Sequence, residues 1–258
     1  MHGYLSRDCV APAEFRRIGC EQLEPYGIEW RNSEVVRTCT TDGGFVITLR
    51  DGAEITCRKL LLATGVEDEL PHLTGIQELY GTSVHHCPYC DGWEHRDERI
   101  AIYGQGKNGA GLALSLTTWS ADIVLCTDGV TRIPELETQR LRQKNIEVRM
   151  EPIARLEGRD GKLERVVFRD GSSIVRDAMF FSSGQHQQSP LAKMMGCLFN
   201  RKGTVRTNRL EGTEIAGLYV AGDASRDVQL VIVAAAEGAK AGFAINRALQ
   251  EEEFLTAS

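Results

Sequence analysis

The sequence predicts an α/β protein built from two copies of one plan, and two observations carry that prediction. The first is an internal repeat: Arg50-Asp51-Gly52 opens a segment that ends at Gly65, and Arg169-Asp170-Gly171 opens a similar segment that ends at Gly184. The Asp-to-Gly spacing is 14 residues in both copies (65−51 and 184−170). The second is a glycine-rich turn, Gly104-Gln-Gly106-Lys-Asn-Gly109, between a strand pattern and a helix pattern. Together they indicate a duplicated structural unit.

Each copy of the repeat predicts a small antiparallel meander followed by a buried strand. Alternating runs at residues 44–49 and 162–168 stand immediately before the two Asp-Gly pairs. Asp-Gly between alternating runs is a strong hairpin pattern. Two hairpins that look alike by chance are the alternative, and the matched spacing favours duplication.

The second copy opens with the elements of a Rossmann-like βαβ unit. An apolar strand is predicted at Arg99–Tyr103, a helix at Ala110–Trp119 and a second strand at Asp122–Thr127, which ends at Asp128. Strand, GxGxxG, helix, strand and acid in this order are typical of dinucleotide binding.

Each glycine of the turn has a mechanical reason. Gly104 makes the tight turn, Gly106 admits a pyrophosphate against the backbone, and Gly109 lets helix and strand approach closely. The helix N-terminus then offers N–H groups to phosphates. Asp128 can accept hydrogen bonds from an adenosine ribose, which favours NAD over NADP, or it can belong to a surface turn with Gly129.

The first copy has no such turn. No GxGxxG occurs between Met1 and Gly65. We therefore expect the first copy to lack its opening βα unit, and we expect either that Met1 is internal to a longer natural protein or that the chain is a remnant.

Composition and charge exclude several classes of protein. An apolar fraction of 42% excludes a disordered chain, and a net charge of −6 without a basic stripe excludes a nucleic-acid partner. The longest apolar run, Leu230–Ala236, is far shorter than the roughly 20 residues that cross a bilayer. The first residues have no apolar signal-peptide core. We expect a cytoplasmic protein in which most of the eight cysteines are reduced.

One cysteine pair is the exception, Cys87-Pro-Tyr-Cys90. His85 and His86 precede it and Asp91 follows it, which gives acid–base groups able to protonate a leaving thiolate. A zinc site lacks a second ligand pair, so we expect no metal, and an inert pair is the other alternative. A redox-active disulfide fits the context best.

These motifs resemble those of the thioredoxin reductase branch of the pyridine nucleotide–disulfide oxidoreductases. The resemblance covers residues from about 30 to 250 and rests on five segments: Cys87–Gly92, Leu60–Gly65, Gly196–Thr207, Gly217–Asp223, and Gln229 with Ala234–Gly238.

The resemblance implies cofactors and roles. FAD would be bound by Thr64, Gly65, Gly222, Asp223 and Gln229, with Asp223 on the ribityl chain, and NAD(P)H by the second copy. Cys90 would face the flavin, Cys87 would attack the substrate disulfide, and Asp91 would be the general acid. The partner would be a thioredoxin-like protein or a small-molecule disulfide, and the assembly a homodimer.

Departures from the family pattern qualify these expectations. Thr127-Asp128-Gly129 replaces the basic residues that read an adenine 2′-phosphate, and Val228 replaces an Arg beside the flavin. Pro88 and His86 look closer to relatives that act on small-molecule dithiols or on partners other than thioredoxin. A flavin-free remnant that binds a nucleotide or partner, and a dithiol oxidase running the chemistry in reverse, are the alternatives.

The expected domains follow from the repeat and the resemblance. Residues 1–68 and 185–258 should form an incomplete FAD-binding domain. Residues 69–184 should form an inserted NAD(P)-binding domain that holds both CxxC and GxGxxG.

Overall fold

The computed structural model describes residues 2–226 and 228–256, and their contacts divide them into two compact units. The first unit combines residues 3–67 with the segment from residue 185 onward, and the second unit spans residues 68–184. Each unit has its own antiparallel meander and its own buried core.

The helices and strands follow one another in three segments of the chain. The first segment holds α1 Pro12–Leu23, β1 Val35–Thr41, β2 Gly44–Leu49, β3 Glu54–Cys57, β4 Leu60–Leu62 and β5 Val66–Asp68. The middle segment holds α2 Ile76–Leu79, β6 Val84–His85, α3 Pro88–Asp91, β7 Ile100–Tyr103, α4 Gly106–Leu116, β8 Ile123–Cys126, α5 Glu135–Gln143, β9 Glu147–Arg149, β10 Ile153–Arg159, β11 Lys162–Phe168, β12 Ser173–Val175 and β13 Ala178–Phe181. The last segment holds β14 Gln185–Gln187, α6 Leu191–Met194, β15 Leu218–Val220 and α7 Val231–Thr256. Short 3₁₀ turns cover Glu24–Tyr26 and Gly222–Ala224.

The second unit is built on a five-stranded sheet in the order β6-β13-β7-β8-β9. All four pairings in this sheet are parallel, as in a Rossmann-like domain. Because a parallel sheet is covered on both faces, its strands are buried nearly throughout. β8 and β13 are buried at every position.

Strand alternation divides the core of this unit between the two faces of the sheet. Ile100 and Ile102 belong to a cluster that contains Leu116 of α4, whereas Ala101 belongs to a cluster that contains Phe168 of β11. Helices therefore cover one face, and the antiparallel meander β10-β11-β12 covers the other.

The first unit repeats the plan with fewer strands among the described residues. β1-β2-β3 form an antiparallel meander, and β4 pairs in parallel with β15, with Leu60 opposite Leu218 and Leu62 opposite Val220. Phe45 of β2 packs into the same buried cluster.

The α/β prediction with two meanders is confirmed, and β2 and β11 have the predicted bounds of 44–49 and 162–168. The predicted helix Ala110–Trp119 was misplaced: α4 begins at Gly106 and ends at Leu116. It begins earlier because the Gly109 N–H already donates to the Gln105 carbonyl at 3.0 Å, so the turn itself is helical. It ends earlier because the N–H groups of Thr117, Thr118 and Trp119 donate to carbonyls three residues back and not four, so the α-helical pattern stops at Leu116. Among the described residues, no helix combines the length and apolar character needed to cross a bilayer.

Candidate functional site

The cysteine pair lies in the second unit on the one-turn helix α3. Cys87 and Cys90 form a disulfide with a Cα–Cα distance of 5.3 Å, which is within the usual range for such bonds. Pro88 occupies the first helical position, where its missing N–H costs nothing, and the Cys90 and Asp91 N–H groups both donate to the Cys87 carbonyl at 3.3 Å. This turn brings the two sulfurs together and places Asp91 directly after them.

Gly92 allows the aromatic packing behind this helix. A Cβ at Gly92 would lie 2.4 Å from the Pro88 carbonyl oxygen and 2.8 Å from a ring atom of Trp119. Tyr89 contacts the same Trp119 edge-on, with 5.6 Å between ring centroids. Trp119 therefore supports the helix that carries the cysteines, while 70% of Tyr89 remains exposed beside them.

Asp91 faces the buried imidazole of His85, with 3.5 Å between Oδ2 and Nδ1. His85 Nε2 is 2.9 Å from His95 Nε2, and His95 Nδ1 is 2.7 Å from Glu98 Oε2. Burial lowers the pKa of His85, while the nearby Asp91 carboxylate opposes that shift. His85 is therefore neutral near pH 7.

His86 meets a different carboxylate. Its Nδ1 is 2.8 Å from Asp68 Oδ2, and Tyr80 donates its hydroxyl to the same Asp68. Burial, reinforced by the contact with Asp68, raises the pKa of Tyr80, so its hydroxyl keeps its proton. Asp68 thus fixes the orientation of His86 and leaves Nε2 as the ring nitrogen available for acid–base chemistry.

The glycine-rich turn has the geometry expected of a phosphate cradle. A Cβ at Gly109 would lie 2.4 Å from the carbonyl carbon and oxygen of Gly104, so strand β7 and helix α4 meet at these two residues. Gly106 has a φ of +55°, and its N–H donates to Thr131 Oγ1 at 3.1 Å. Gln105, the residue before α4, does not cap the helix with its side chain.

Asp128 has structural partners. Its Oδ1 accepts the Ile153 N–H at 2.7 Å, and its Oδ2 accepts the Tyr103 hydroxyl at 3.3 Å. The carboxylate therefore stabilises a turn, although a carboxylate has about four acceptor positions and can take further donors.

The predicted flavin residues all lie in the first unit, after the ends of its two parallel strands. Thr64 and Gly65 follow β4, and Gly222 and Asp223 follow β15, where the Ala221 N–H donates to the Leu62 carbonyl at 3.1 Å. Gln229 Nε2 donates to Gln185 Oε1 at 2.7 Å.

A charged network holds the Gly222 turn in place. Glu237 is buried; its Oε2 accepts the Gly222 N–H at 2.8 Å, and its Oε1 contacts Arg226. Arg226 also pairs with the fully buried Glu211, which Lys240 of α7 contacts from the other side. The network therefore ties α7 to the turn that carries Asp223.

The described residues fit the nicotinamide nucleotide and FAD to different degrees. The close contact of Gly104 with Gly109 at the start of α4 fits a dinucleotide pyrophosphate. In the first unit, Gly222 has a φ of +77°, a conformation that favours glycine, and places Asp223 in the turn after β15 where the ribityl side of a flavin would lie. GxGxxG occurs once in the chain, so the sequence contains one pyrophosphate cradle of that kind.

Three residues of the site could not be picked out from sequence patterns: Asp68, His95 and Glu98. His95 and Glu98 stand three residues apart, a spacing that suits a contact within one turn, yet a lone His–Glu pair in a polar stretch is too common to single out. Asp68 lies 18 residues before His86, and only the tertiary fold brings them together.

Comparisons with known proteins show what the chain is similar to. The family described as pyridine nucleotide-disulphide oxidoreductase matches residues 10–238. A probable thioredoxin reductase of Arthroderma benhamiae is 28% identical over 261 residues, covering 88% of this chain and 64% of the relative. The thioredoxin reductase tcpT of Claviceps purpurea is 30% identical over 241 residues, covering 86% of this chain and 73% of the relative. The first of these relatives is thus matched over less than two thirds of its length.

A solved structure extends the likeness to the fold. The crystal structure of a thioredoxin reductase-type protein, TrxB from Bacillus anthracis, superposes with a TM-score of 0.91 and 31% sequence identity, over 98% of this chain and 85% of that one.

Proposed function

Because the chain belongs to the pyridine nucleotide–disulphide oxidoreductase family and is thioredoxin reductase-like, we propose that it exchanges electrons between NAD(P)H, FAD and the Cys87–Cys90 pair. The reaction reduces a disulfide of a partner protein or of a small molecule to two thiols. One observation carries the proposal: the two cysteines form a disulfide beside a carboxylate and a buried histidine, in the same unit as the glycine-rich turn.

The nicotinamide nucleotide is assigned to residues 68–184. Gly104, Gly106 and Gly109 would let its pyrophosphate approach the backbone at the N-terminus of α4, whose partial positive charge favours phosphate. The Asp128 carboxylate already accepts hydrogen bonds from the Tyr103 hydroxyl and the Ile153 N–H. Its remaining acceptor positions would take hydrogen bonds from the adenosine ribose, which favours NAD over NADP.

FAD is assigned to the first unit. Thr64, Gly65, Gly222, Asp223 and Gln229 would hold its ribityl and ring side. When bound, a nicotinamide and a flavin supply a hydride and pass an electron pair to sulfur. The residues of this chain position these groups and move the protons.

Disulfide exchange is the step that the chain's own residues perform. The Cys87 thiolate attacks one sulfur of the substrate disulfide; the S–S bond breaks, and the departing sulfur keeps the electron pair. Asp91 gives that sulfur its proton. Cys90 then gives up its proton and attacks the Cys87 sulfur; the mixed disulfide breaks, the second substrate sulfur leaves with the electron pair and takes that proton, and the Cys87–Cys90 disulfide is restored. His86, oriented by Asp68, is the second acid–base group beside Cys87.

The substrate class is the part of the proposal that rests on exposed residues. Tyr89 and Trp93 are 70% and 57% exposed and flank the cysteine pair, so they offer apolar contact to a thioredoxin-like protein or an organic disulfide. We also expect a homodimer, as the resemblance implies. A cytoplasmic location is supported by five of the six other cysteines, Cys20, Cys39, Cys57, Cys126 and Cys197, which remain thiols.

The experiment is a disulfide-reduction assay with purified protein. We expect flavin absorbance after purification or FAD loading, and NAD(P)H-dependent release of thiols from a generic disulfide. Cys87→Ser and Cys90→Ser should abolish that release, whereas Cys39→Ser, a change at an exposed cysteine of the other unit, should leave it unchanged.

Three outcomes separate the candidate functions. Thiol release that depends on both cysteines supports the reductase. Binding of NAD(H) without flavin or thiol release supports a protein that binds a nucleotide without turnover, which the single GxGxxG favours. Oxidation of dithiols by O₂ without NAD(P)H supports the oxidase direction.

A further inference from the structure

The line of side chains behind Asp91 is more extensive than an acid catalyst requires. His85 and His95 are both buried, and Glu98 at the end of the line has a side chain that is 40% exposed. Two histidines in contact through their Nε2 atoms, with a carboxylate near each outer nitrogen, form a line of side chains from solvent to Asp91, in which the first two contacts are hydrogen bonds and the last is a 3.5 Å approach.

We propose that Glu98, His95 and His85 form a proton relay that loads Asp91 from solvent for each disulfide exchange. This inference rests on the proposed function, because it supplies the proton which that reaction consumes. His85, His95 and Glu98 act through Asp91 and are positioning residues.

The proton balance of the exchange shows why a relay is needed. Because Cys87 enters the exchange as a thiolate, the first departing substrate thiolate takes its proton from Asp91 and leaves Asp91 as a carboxylate, one proton short, whereas the second takes the proton that Cys90 gives up. The Asp91 side chain is 36% exposed in the free protein, and a substrate disulfide held over the two sulfurs covers that face. A proton that enters at Glu98 avoids the covered face, and no electrons move along the line.

The hydrogen bonds of the line can run in either direction. When His85 donates from Nε2, His95 donates from Nδ1 to Glu98, and the hydrogen atoms point toward solvent. When Glu98 is protonated and donates to His95, His95 donates to His85, and His85 Nδ1 carries the hydrogen toward Asp91. Passing from the second arrangement to the first moves one proton from Glu98 to Asp91. Each imidazole accepts a proton at one nitrogen and releases another from its second nitrogen.

The remaining groups near His85 are consistent with this role. Burial, with a smaller effect from His95, lowers the pKa of His85, whereas Asp91, a hydrogen bond to the Thr82 backbone and the Glu94 carboxylate oppose that shift, so the charged form of His85 is transient. The 3.5 Å step from His85 to Asp91 is the longest in the line, and such contacts commonly shorten when substrate binds or are bridged by one water.

The test uses the reduced protein in single-turnover exchange, without NAD(P)H or flavin reduction. The Cys87–Cys90 pair is reduced with dithiothreitol, the reductant is removed, and the protein is mixed with one of two disulfides. Bis(2-hydroxyethyl) disulfide releases a basic thiolate that needs a proton, whereas 5,5′-dithiobis(2-nitrobenzoate) releases a thiolate that is stable at neutral pH. Acid quenching followed by mass spectrometry gives both rates.

We expect Glu98→Gln and His95→Phe to slow the aliphatic disulfide about tenfold at pH 7.5, a part of the roughly 10²–10⁴-fold that a positioned acid contributes. The aromatic disulfide should react at the wild-type rate. The deficit should shrink as the pH falls, because bulk protons then reload Asp91 directly. Asp91→Asn should give the same pattern with a larger loss.

Glu94→Gln is the matched control, because Glu94 acts on His85 electrostatically but is outside the hydrogen-bonded line. It should react like wild type with both disulfides. Since His95 is buried and its replacement can disturb folding, Glu98→Gln at the exposed end carries the test alone if His95→Phe does not fold.

Two results overturn the relay. If Glu98→Gln reacts with the aliphatic disulfide at the wild-type rate, Glu98 is not part of the path. Equal slowing of both disulfides at every pH means that the residues act only on the fold. If the wild-type reduced pair reacts with neither disulfide, the proposed function itself fails, which is a separate result.

Discussion

At the scale of single residues, His85 and His86 show how neighbours in sequence come to serve different partners. His85 ends strand β6, and successive side chains along extended backbone point to opposite sides. His85 therefore turns toward Asp91 and His95, whereas His86 turns toward Asp68. The sequence identified both histidines as acid–base candidates but could not assign their partners, because Asp68 and His95 approach only in the folded unit.

The buried His85 predicts a pH dependence of stability. Its folded-state pKa is lowered, so below about pH 6.5, the ordinary value for histidine, the unfolded chain binds more protons than the folded one. The contribution of His85 to the free energy of unfolding is therefore fully present above that pH. It is lost as the pH falls below it. Urea unfolding between pH 7.5 and pH 5 should show this decrease.

Two histidine variants isolate this effect. His85→Gln should flatten the pH dependence, while His72→Gln at an exposed position should leave the wild-type slope. An unchanged slope in His85→Gln would contradict the assignment of the effect to His85.

At the scale of elements, the strand–turn–helix unit β7–α4 depends on two glycines that touch. Gly109→Ala should lower the free energy of unfolding by about 1–3 kcal/mol, because its Cβ would lie 2.4 Å from Gly104 backbone atoms. It should also weaken NAD(H) binding, measured by nucleotide fluorescence.

Gly111→Ala in the same helix is the matched control. A Cβ there meets nothing within 4 Å, and alanine is favoured over glycine in a helix interior by roughly 0.8–1 kcal/mol. It should leave NAD(H) binding intact and raise stability slightly. Equal losses in both variants would contradict the close-contact explanation.

The charged network beneath the Gly222 turn gives a second prediction at this scale. Glu211 is fully buried and accepts from Thr207 Oγ1 at 3.2 Å in addition to its contacts with Arg226 and Lys240. Glu211→Gln should cost about 1–3 kcal/mol in chemical unfolding, since it leaves the two cations without their shared carboxylate. Lys240→Met, at a side chain that is 45% exposed, should cost less than about 1 kcal/mol. The reverse order would contradict the central role of Glu211.

These elements also show where sequence patterns succeed. Alternation and Asp-Gly turns predicted β2 and β11, because a meander is specified by neighbours along the chain. The start of α4 was misplaced because the glycine-rich turn is already helical, and glycines give no apolar periodicity to mark a helix. No sequence pattern indicates the Glu211 network, because its members are spread from Glu211 to Lys240 and meet only in the folded protein.

At the scale of the whole molecule, the repeat explains the architecture. Each unit has its own buried cluster, a meander and parallel strands, and the second unit is contained within the first along the chain. The roles proposed for the residues of these units all depend on one claim: that Cys87 and Cys90 are a redox-active pair.

A redox titration tests that claim most directly. The protein is equilibrated in glutathione buffers of stepped potential, its thiols are trapped with an alkylating agent, and each cysteine is read by mass spectrometry. Burial raises the pKa of Cys126 to about 12 and that of Cys197 to about 11, so these two thiols serve as internal controls that stay reduced and unreactive in the native protein.

We predict a reversible two-electron transition confined to Cys87 and Cys90, within the range of exchanging pairs, roughly −180 to −270 mV. A pair that stays oxidised at potentials below about −300 mV, as structural disulfides do, would contradict the account.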